Sequence, residues 1–275
     1  MFIRKMFENG LFGSACFSVM LTLSGVVTYA GETPWQTIAE GAELRIITSD
    51  SLLGGRTSIA LEVRMEPGWQ TYWRVPGETG VLTEVTLSTS KAEIDSKLTW
   101  PFPRREIKSG YVDHVYRERL VLPVDFEPPK GASSINADIF MGICSDICVP
   151  VKANFIVPLR FARPDIGQDL RIKQAVQLSP YAWEGLEEPF GSIVFDKDER
   201  SLIVHFDPSQ IDASTIIASI DGSAYVFAPP ETVKGVENVA EMRLLARLPK
   251  DGLQGRMVRL SFMTSKGAFE IVRKL

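Results

Sequence analysis

Two cysteines separated by three residues, in Met141-Gly-Ile-Cys144-Ser-Asp-Ile-Cys148-Val-Pro150, are the residues of this sequence best suited to do chemistry. Disulfide-bonded cysteines usually have Cα atoms about 4.4–6.8 Å apart, a closeness that a compact turn supplies. Cross-linking so short a loop constrains the unfolded chain little compared with a loop of tens of residues, so stability alone is a weak reason for the pair. A redox role gains by that argument, because a second nearby thiol can resolve a mixed disulfide. Three readings stand open: a redox-active pair, a purely structural disulfide, and a soft-metal site in which two thiolates and Met141 bind Cu(I). Met141 falls on an alternating apolar face, which favours a core position for it. Zinc would need further ligands, and the two histidines of the chain offer only the remote His114. Asp146, between the cysteines, could take or give a proton, or could serve the turn through side-chain-to-backbone bonds.

The segments flanking the pair must be strands. Ile135, Ala137, Ile139, Met141 and Ile143 alternate before the first cysteine, and Ala153, Phe155, Val157, Leu159 and Phe161 alternate after the second. Ile59, Leu61, Val63 and Met65 show the same period, and further strands are expected near Leu44–Ile47, Trp69–Trp73, Val81–Leu87 and Val115–Val124. Gly54-Gly55, Pro67-Gly68 and Pro76-Gly77 read as turns. About eight short strands without an intervening helical pattern predict an antiparallel β-sandwich. Pro164 suits a first helical position, and Asp165 to Gln177 reads as a connecting helix closed by Ser179-Pro180. Alternation resumes at Leu202–Phe206, Met242–Leu248 and Val258–Phe262, with Asp196-Lys197-Asp198 as a hairpin tip, which predicts a second, smaller β-domain. Its His205 reads as structural. The expected organisation is residues 1–30, 31–162 carrying the cysteine pair, 163–190 as helix and connector, and 191–275.

Composition bounds the function. The 275 residues are 45% hydrophobic and 23% charged, with 30 Lys and Arg against 34 Asp and Glu. This is the composition of a globular chain, and without blocks of positive charge it argues against nucleic-acid binding. Residues 1–30 have the layout of a cleavable secretory signal: Arg4 and Lys5, an apolar stretch from Leu11 to Val27, then Thr28-Tyr29-Ala30 before Gly31. An uncleaved anchor or lipidation at Cys16 are the alternatives. Removal of residues 1–30 leaves 245 of the 275 residues and two of the three cysteines, in an oxidising compartment and with no further span expected.

Four motifs in register give a resemblance. Gly68-Trp-Gln-Thr-Tyr-Trp-Arg-Val-Pro-Gly-Glu-Thr-Gly80, Trp100-Pro-Phe-Pro-Arg104, Tyr116-Arg-Glu-Arg-Leu-Val-Leu-Pro123 and Cys144-Ser-Asp-Ile-Cys-Val-Pro150 resemble the N-terminal domain of the thiol:disulfide interchange protein DsbD and its ScsB-like relatives. The likeness spans roughly Glu43 to Arg160. It implies an immunoglobulin-like domain that carries electrons in the periplasm, with Cys144 and Cys148 as the reactive pair and no cofactor. It also implies a cap over the pair from the Glu106–His114 segment, with Glu106, Tyr111 and Tyr116 as cap or partner-binding residues. Trp69, Tyr72, Trp73 and Trp100 could line a partner surface, although core positions are the simpler expectation. Two departures stand out. The three-residue gap is tighter than in DsbD itself and nearer the ScsB-like branch. The sequence also shows neither a transmembrane module nor a thioredoxin-like Cys-X-X-Cys module. The expected partners are therefore periplasmic thiol-disulfide proteins and a membrane electron donor supplied by another chain. A non-catalytic binding module with a structural disulfide, or a copper-handling protein, remain the alternatives.

Overall fold

The computed structural model describes residues 31–185, 187–233, 235–247 and 252–275. The expected signal segment 1–30, with Cys16, lies outside the described residues. Among those described, no helix is long and apolar enough to cross a membrane.

The N-terminal part is a sandwich of two antiparallel sheets. One runs, in spatial order, Gln36–Ala39, Ala42–Thr48, Thr57–Met65, Arg119–Phe126 and Ser96–Leu98. The other runs Glu93–Ile94, Glu84–Ser88, Ser134–Cys144, Gln70–Gly77, Tyr111–Arg117 and Arg104–Lys108, with Cys148–Pro158 paired to Ser134–Cys144. Period-2 alternation drives this closure: Leu44, Ile46, Leu61, Leu122 and Phe126 point inward and are fully buried. Trp73 and Tyr72 are also buried, while Trp69 and Trp100 pack half-buried against the core. The fold is thus an all-β immunoglobulin-like sandwich followed by one helix and a second set of sheets.

Three local readings of the sequence change. Val115–Val124 is two strands in different sheets, because Glu118 adopts a left-handed φ of 61° and redirects the chain across the sandwich. Pro76-Gly77 ends a strand instead of forming a free turn; Gly77 has φ 104°, and a Cβ there would lie 2.4 Å from the Val112 carbonyl oxygen. The strand expected from Val81 begins at Glu84.

The helix spans Ile166–Gln177, with Asp165 as its N-cap accepting the Gln168 N–H at 3.0 Å, so Pro164 precedes the cap. Ile172 buries against Ile47 and Ala60, which lays the helix on the N-terminal sandwich. Tyr181-Ala182 pairs in parallel with Gly267–Lys274 in a sheet completed by Met257–Thr264 and Asp212–Ile220. The facing sheet contains Phe190–Asp196, Ser201–Phe206, Val239–Arg243 and Glu231-Thr232. The expected tip at Asp196 is a turn in which its carboxylate accepts the Asp198 and Glu199 N–H groups.

Candidate functional site

The strands Ser134–Cys144 and Cys148–Pro158 pair without interruption, from Ser134 opposite Pro158 to Cys144 opposite Cys148. That register places the cysteines face to face at the hairpin's end, with Ser145, Asp146 and Ile147 as the turn. The Cα atoms are 4.1 Å apart and the sulfurs form a disulfide. Cys144 is 2% exposed, whereas Cys148 is partly exposed. Of the pair, Cys148 is therefore the more open residue and Cys144 the more enclosed, although both line the same cavity.

The disulfide forms part of the wall of a cavity of about 350 Å³. Its other walls come from the Gln70–Gly77 strand with Thr79 beyond it, and from the Arg104–Lys108 and Tyr111–Arg117 hairpin. On that hairpin Glu106, Lys108, Tyr111 and Asp113 line the cavity. The expected cap segment Glu106–His114 thus spans the end of one strand, the turn and most of the next strand of a hairpin whose first strand, Arg-Arg-Glu-Ile-Lys, carried no alternation to reveal it.

Tyr72 is the residue that sequence reasoning did not connect to the sulfurs. Its hydroxyl lies 3.0 Å from Cys144 Sγ and 2.9 Å from Cys148 Sγ. Gln70 Nε2 donates to the phenol oxygen at 3.4 Å. Thr79 gives its own N–H and O–H to the Asp113 carboxylate. With those donors committed, the proton left to face a sulfur is the phenol's. Burial raises the Tyr72 pKa above its ordinary value, and the Asp113 charge adds to the rise; the bond from Gln70 and the Arg117 charge oppose it. The group is therefore an O–H donor throughout the neutral range. The only signal for it in the sequence was that Gln70 and Tyr72 share one face of a strand in a motif-bearing segment.

The hairpin is tied to the strand beside it by charge. Arg117 donates to both Glu106 carboxylate oxygens and, at 2.7 Å, to Gln70 Oε1. The Arg117 bonds hold the Glu106 carboxyl below the usual range against the opposing effect of burial. Lys108 Nζ stands 3.5 Å from Asp146, with that carboxylate 98% exposed. A pair so open to water contributes little. Tyr111 is half exposed at the cavity wall.

Tyr116 is elsewhere. Its strand alternates, so it leaves by the face opposite Val115 and Arg117, is 8% exposed, and donates its hydroxyl to the Pro101 carbonyl at 2.6 Å. That placement keeps it out of the disulfide cavity; it lines a different one with Pro101 and Phe102. Met141 lies in the core, and His114 is buried with Nδ1 2.8 Å from the Val75 carbonyl. Burial pushes the His114 pKa down to about 4, so the ring is neutral and Nδ1 carries the proton to Val75. Among the described residues no three His, Cys, Asp or Glu side chains gather as a metal site.

Comparison with known proteins adds to this geometry. Residues 43–159 match the family model described as thiol:disulfide interchange protein DsbD, N-terminal. The chain is also similar to the crystal structure of the N-terminal periplasmic domain of ScsB from Proteus mirabilis, with a TM-score of 0.69 and 20% identity over 89% of this chain and 98% of that one. At that identity the likeness speaks for the fold. No curated protein matches the chain. The matched segment carries both cysteines, the Tyr72 strand and the hairpin that walls the cavity, and residues 43–159 are therefore a DsbD N-terminal-type domain, a thiol:disulfide interchange domain of immunoglobulin-like fold.

Proposed function

We propose that the chain is a periplasmic electron carrier that exchanges the Cys144–Cys148 disulfide with dithiols of other proteins. The observation that carries this reading is the asymmetry of the pair at one cavity: Cys148 partly exposed, Cys144 buried, and a phenol donor within 3.0 Å of both sulfurs. An incoming thiolate attacks the accessible Cys148 Sγ. The Cys144–Cys148 bond breaks, and its electron pair leaves on Cys144 Sγ, where the Tyr72 O–H stabilises the thiolate. The partner's second thiol then attacks the mixed disulfide and frees Cys148, so that the partner is oxidised and this chain holds the dithiol. The same steps in reverse pass the two electrons to an oxidised periplasmic protein. Electrons come from a membrane donor on another chain, residues 1–30 direct export, and the two pairs of sheets are two domains of which only the first carries the chemistry.

Trapping of mixed disulfides tests this. A Cys144→Ser variant, which keeps the more exposed thiol, displaces thionitrobenzoate from a monothiol variant of a periplasmic thioredoxin-like protein whose cysteine is carried as its thionitrobenzoate disulfide, leaving a stable mixed disulfide, and Cys148→Ser does so far more slowly. Absence of any adduct in both, with the wild-type disulfide untouched by a reduced dithiol protein, contradicts the carrier reading.

A further inference from the structure

The first strand of the capping hairpin, Arg104–Lys108, faces two ways. Glu106 and Lys108 line the disulfide cavity. Arg105, on the reverse side, reaches the C-terminal sheets: Nη1 donates to the Ser214 carbonyl at 2.7 Å and Nη2 to the Ile216 carbonyl. Those carbonyls are available because the Asp212–Ile220 strand bulges there. Asp212 opposes Met263 and Ile217 opposes Ser261, so six residues on one strand face three on the other. Thr215 Oγ1 accepts the Met263 N–H and steadies the bulge.

Arg105 is thus a cation whose fork grips two backbone oxygens in place of a carboxylate. Burial alone pulls its pKa down to about 10. Withdrawing a guanidinium from water without a counter-charge is unfavourable; the two Nη bonds offset that cost, while the buried Nε has no hydrogen-bond partner. Around this fork the two parts are seated together: Arg74 Nη2 pairs with Glu270 at 2.7 Å and Ser261 Oγ at 2.9 Å, and Ile217 packs into the N-terminal core.

We infer that the C-terminal sheets brace the capping hairpin from behind through Arg105, so that access to the disulfide is set by a unit that carries no cysteine. Arg105 is a positioning residue. It fixes the strand on which Glu106 meets Arg117 and Lys108 meets Asp146, and with it the wall of the cavity. The biological use of the brace rests on the thiol-exchange reading, while the brace itself is a statement about access.

A small phosphine reductant separates the two, because it opens a disulfide without any protein partner. In the full chain, Arg105→Met is expected to raise the rate of disulfide reduction by tris(carboxyethyl)phosphine about tenfold and to speed hydrogen exchange of the hairpin amides from 104 to 117. Arg105→Lys keeps the charge, loses the fork, and gives a smaller rise in the same direction; it also serves where the Met variant folds poorly. Arg74→Met, which loosens the seating on a different strand, gives the smallest rise. Unchanged reduction rates in both folded Arg105 variants overturn the brace. Faster phosphine reduction alongside failed mixed-disulfide trapping leaves the brace standing and sinks the carrier function.

Discussion

The two parts of this molecule are built by one rule and finished differently. Each closes two mostly antiparallel sheets over a core of alternating apolar residues, Leu61 and Phe126 in the first, Leu260 and Phe262 in the second. The second adds an aromatic cluster in which Trp183 and Phe190 pack on Phe262, with Phe190 edge-on at 4.9 Å. The first adds a long hairpin ending in a disulfide, a second hairpin over it, and a tyrosine beneath. The core therefore supplies a platform, and the chemistry lies in what projects past it. A sheet bulge that in isolation would be an irregularity becomes, in the second part, the seat for an arginine from the first.

The largest way to break the comparison is to hollow out one core. Phe262→Ala should cost about 3–5 kcal/mol in the C-terminal sheets. Read by urea denaturation with a near-ultraviolet signal, the loss should fall on a transition that leaves the N-terminal sandwich folded. A single shared transition of full amplitude would show that the two parts unfold as one.

Acid should weaken the N-terminal part in particular. His114 holds its pKa near 4 through burial, with the Arg105 charge acting the same way, while an unfolded chain takes up that proton near 6.5. Its contribution is complete above pH 6.5 and is lost as pH falls toward 4, by roughly 3 kcal/mol. Melting temperature against pH checks this, and His114→Gln should flatten the profile across that window.

Closer to the sulfurs, Tyr72→Phe removes the phenol proton and keeps the ring. The reduced pair should then show its lower thiol pKa raised by about one unit, near 1.4 kcal/mol. The pH profile of alkylation reads it, and an unmoved profile would place the thiolate's support elsewhere. At the edge of the sandwich, Asp165→Ala removes a helix cap and should cost about 1 kcal/mol in thermal melts without altering the disulfide.

What the sequence disclosed follows from the range of the interactions. Strands with one buried face announce themselves by alternation, which is why Ile135–Ile143 and Ala153–Phe161 were readable and why the cysteines could be placed at a tight turn. Arg104–Lys108 was silent, since an edge strand rich in charge has no apolar period. Glu118 gave no warning either, because one left-handed residue is enough to change sheets and no local composition demands it. The Tyr72 contact joins residues 72 and 76 positions apart, and the Arg105 fork spans 109 and 111. Such contacts follow from topology and register, neither of which a local pattern encodes. Tyr116 shows the converse: a motif marks a residue without saying which face of the strand it occupies.

The central claim is that the Cys144–Cys148 bond is made to be opened. Equilibration of the full chain with glutathione buffers, followed by alkylation and mass measurement of the free thiols, tests it most directly. The account predicts a midpoint above about −300 mV, in the range where protein dithiols exchange. A midpoint well below that value would make the pair a structural staple and contradict the account.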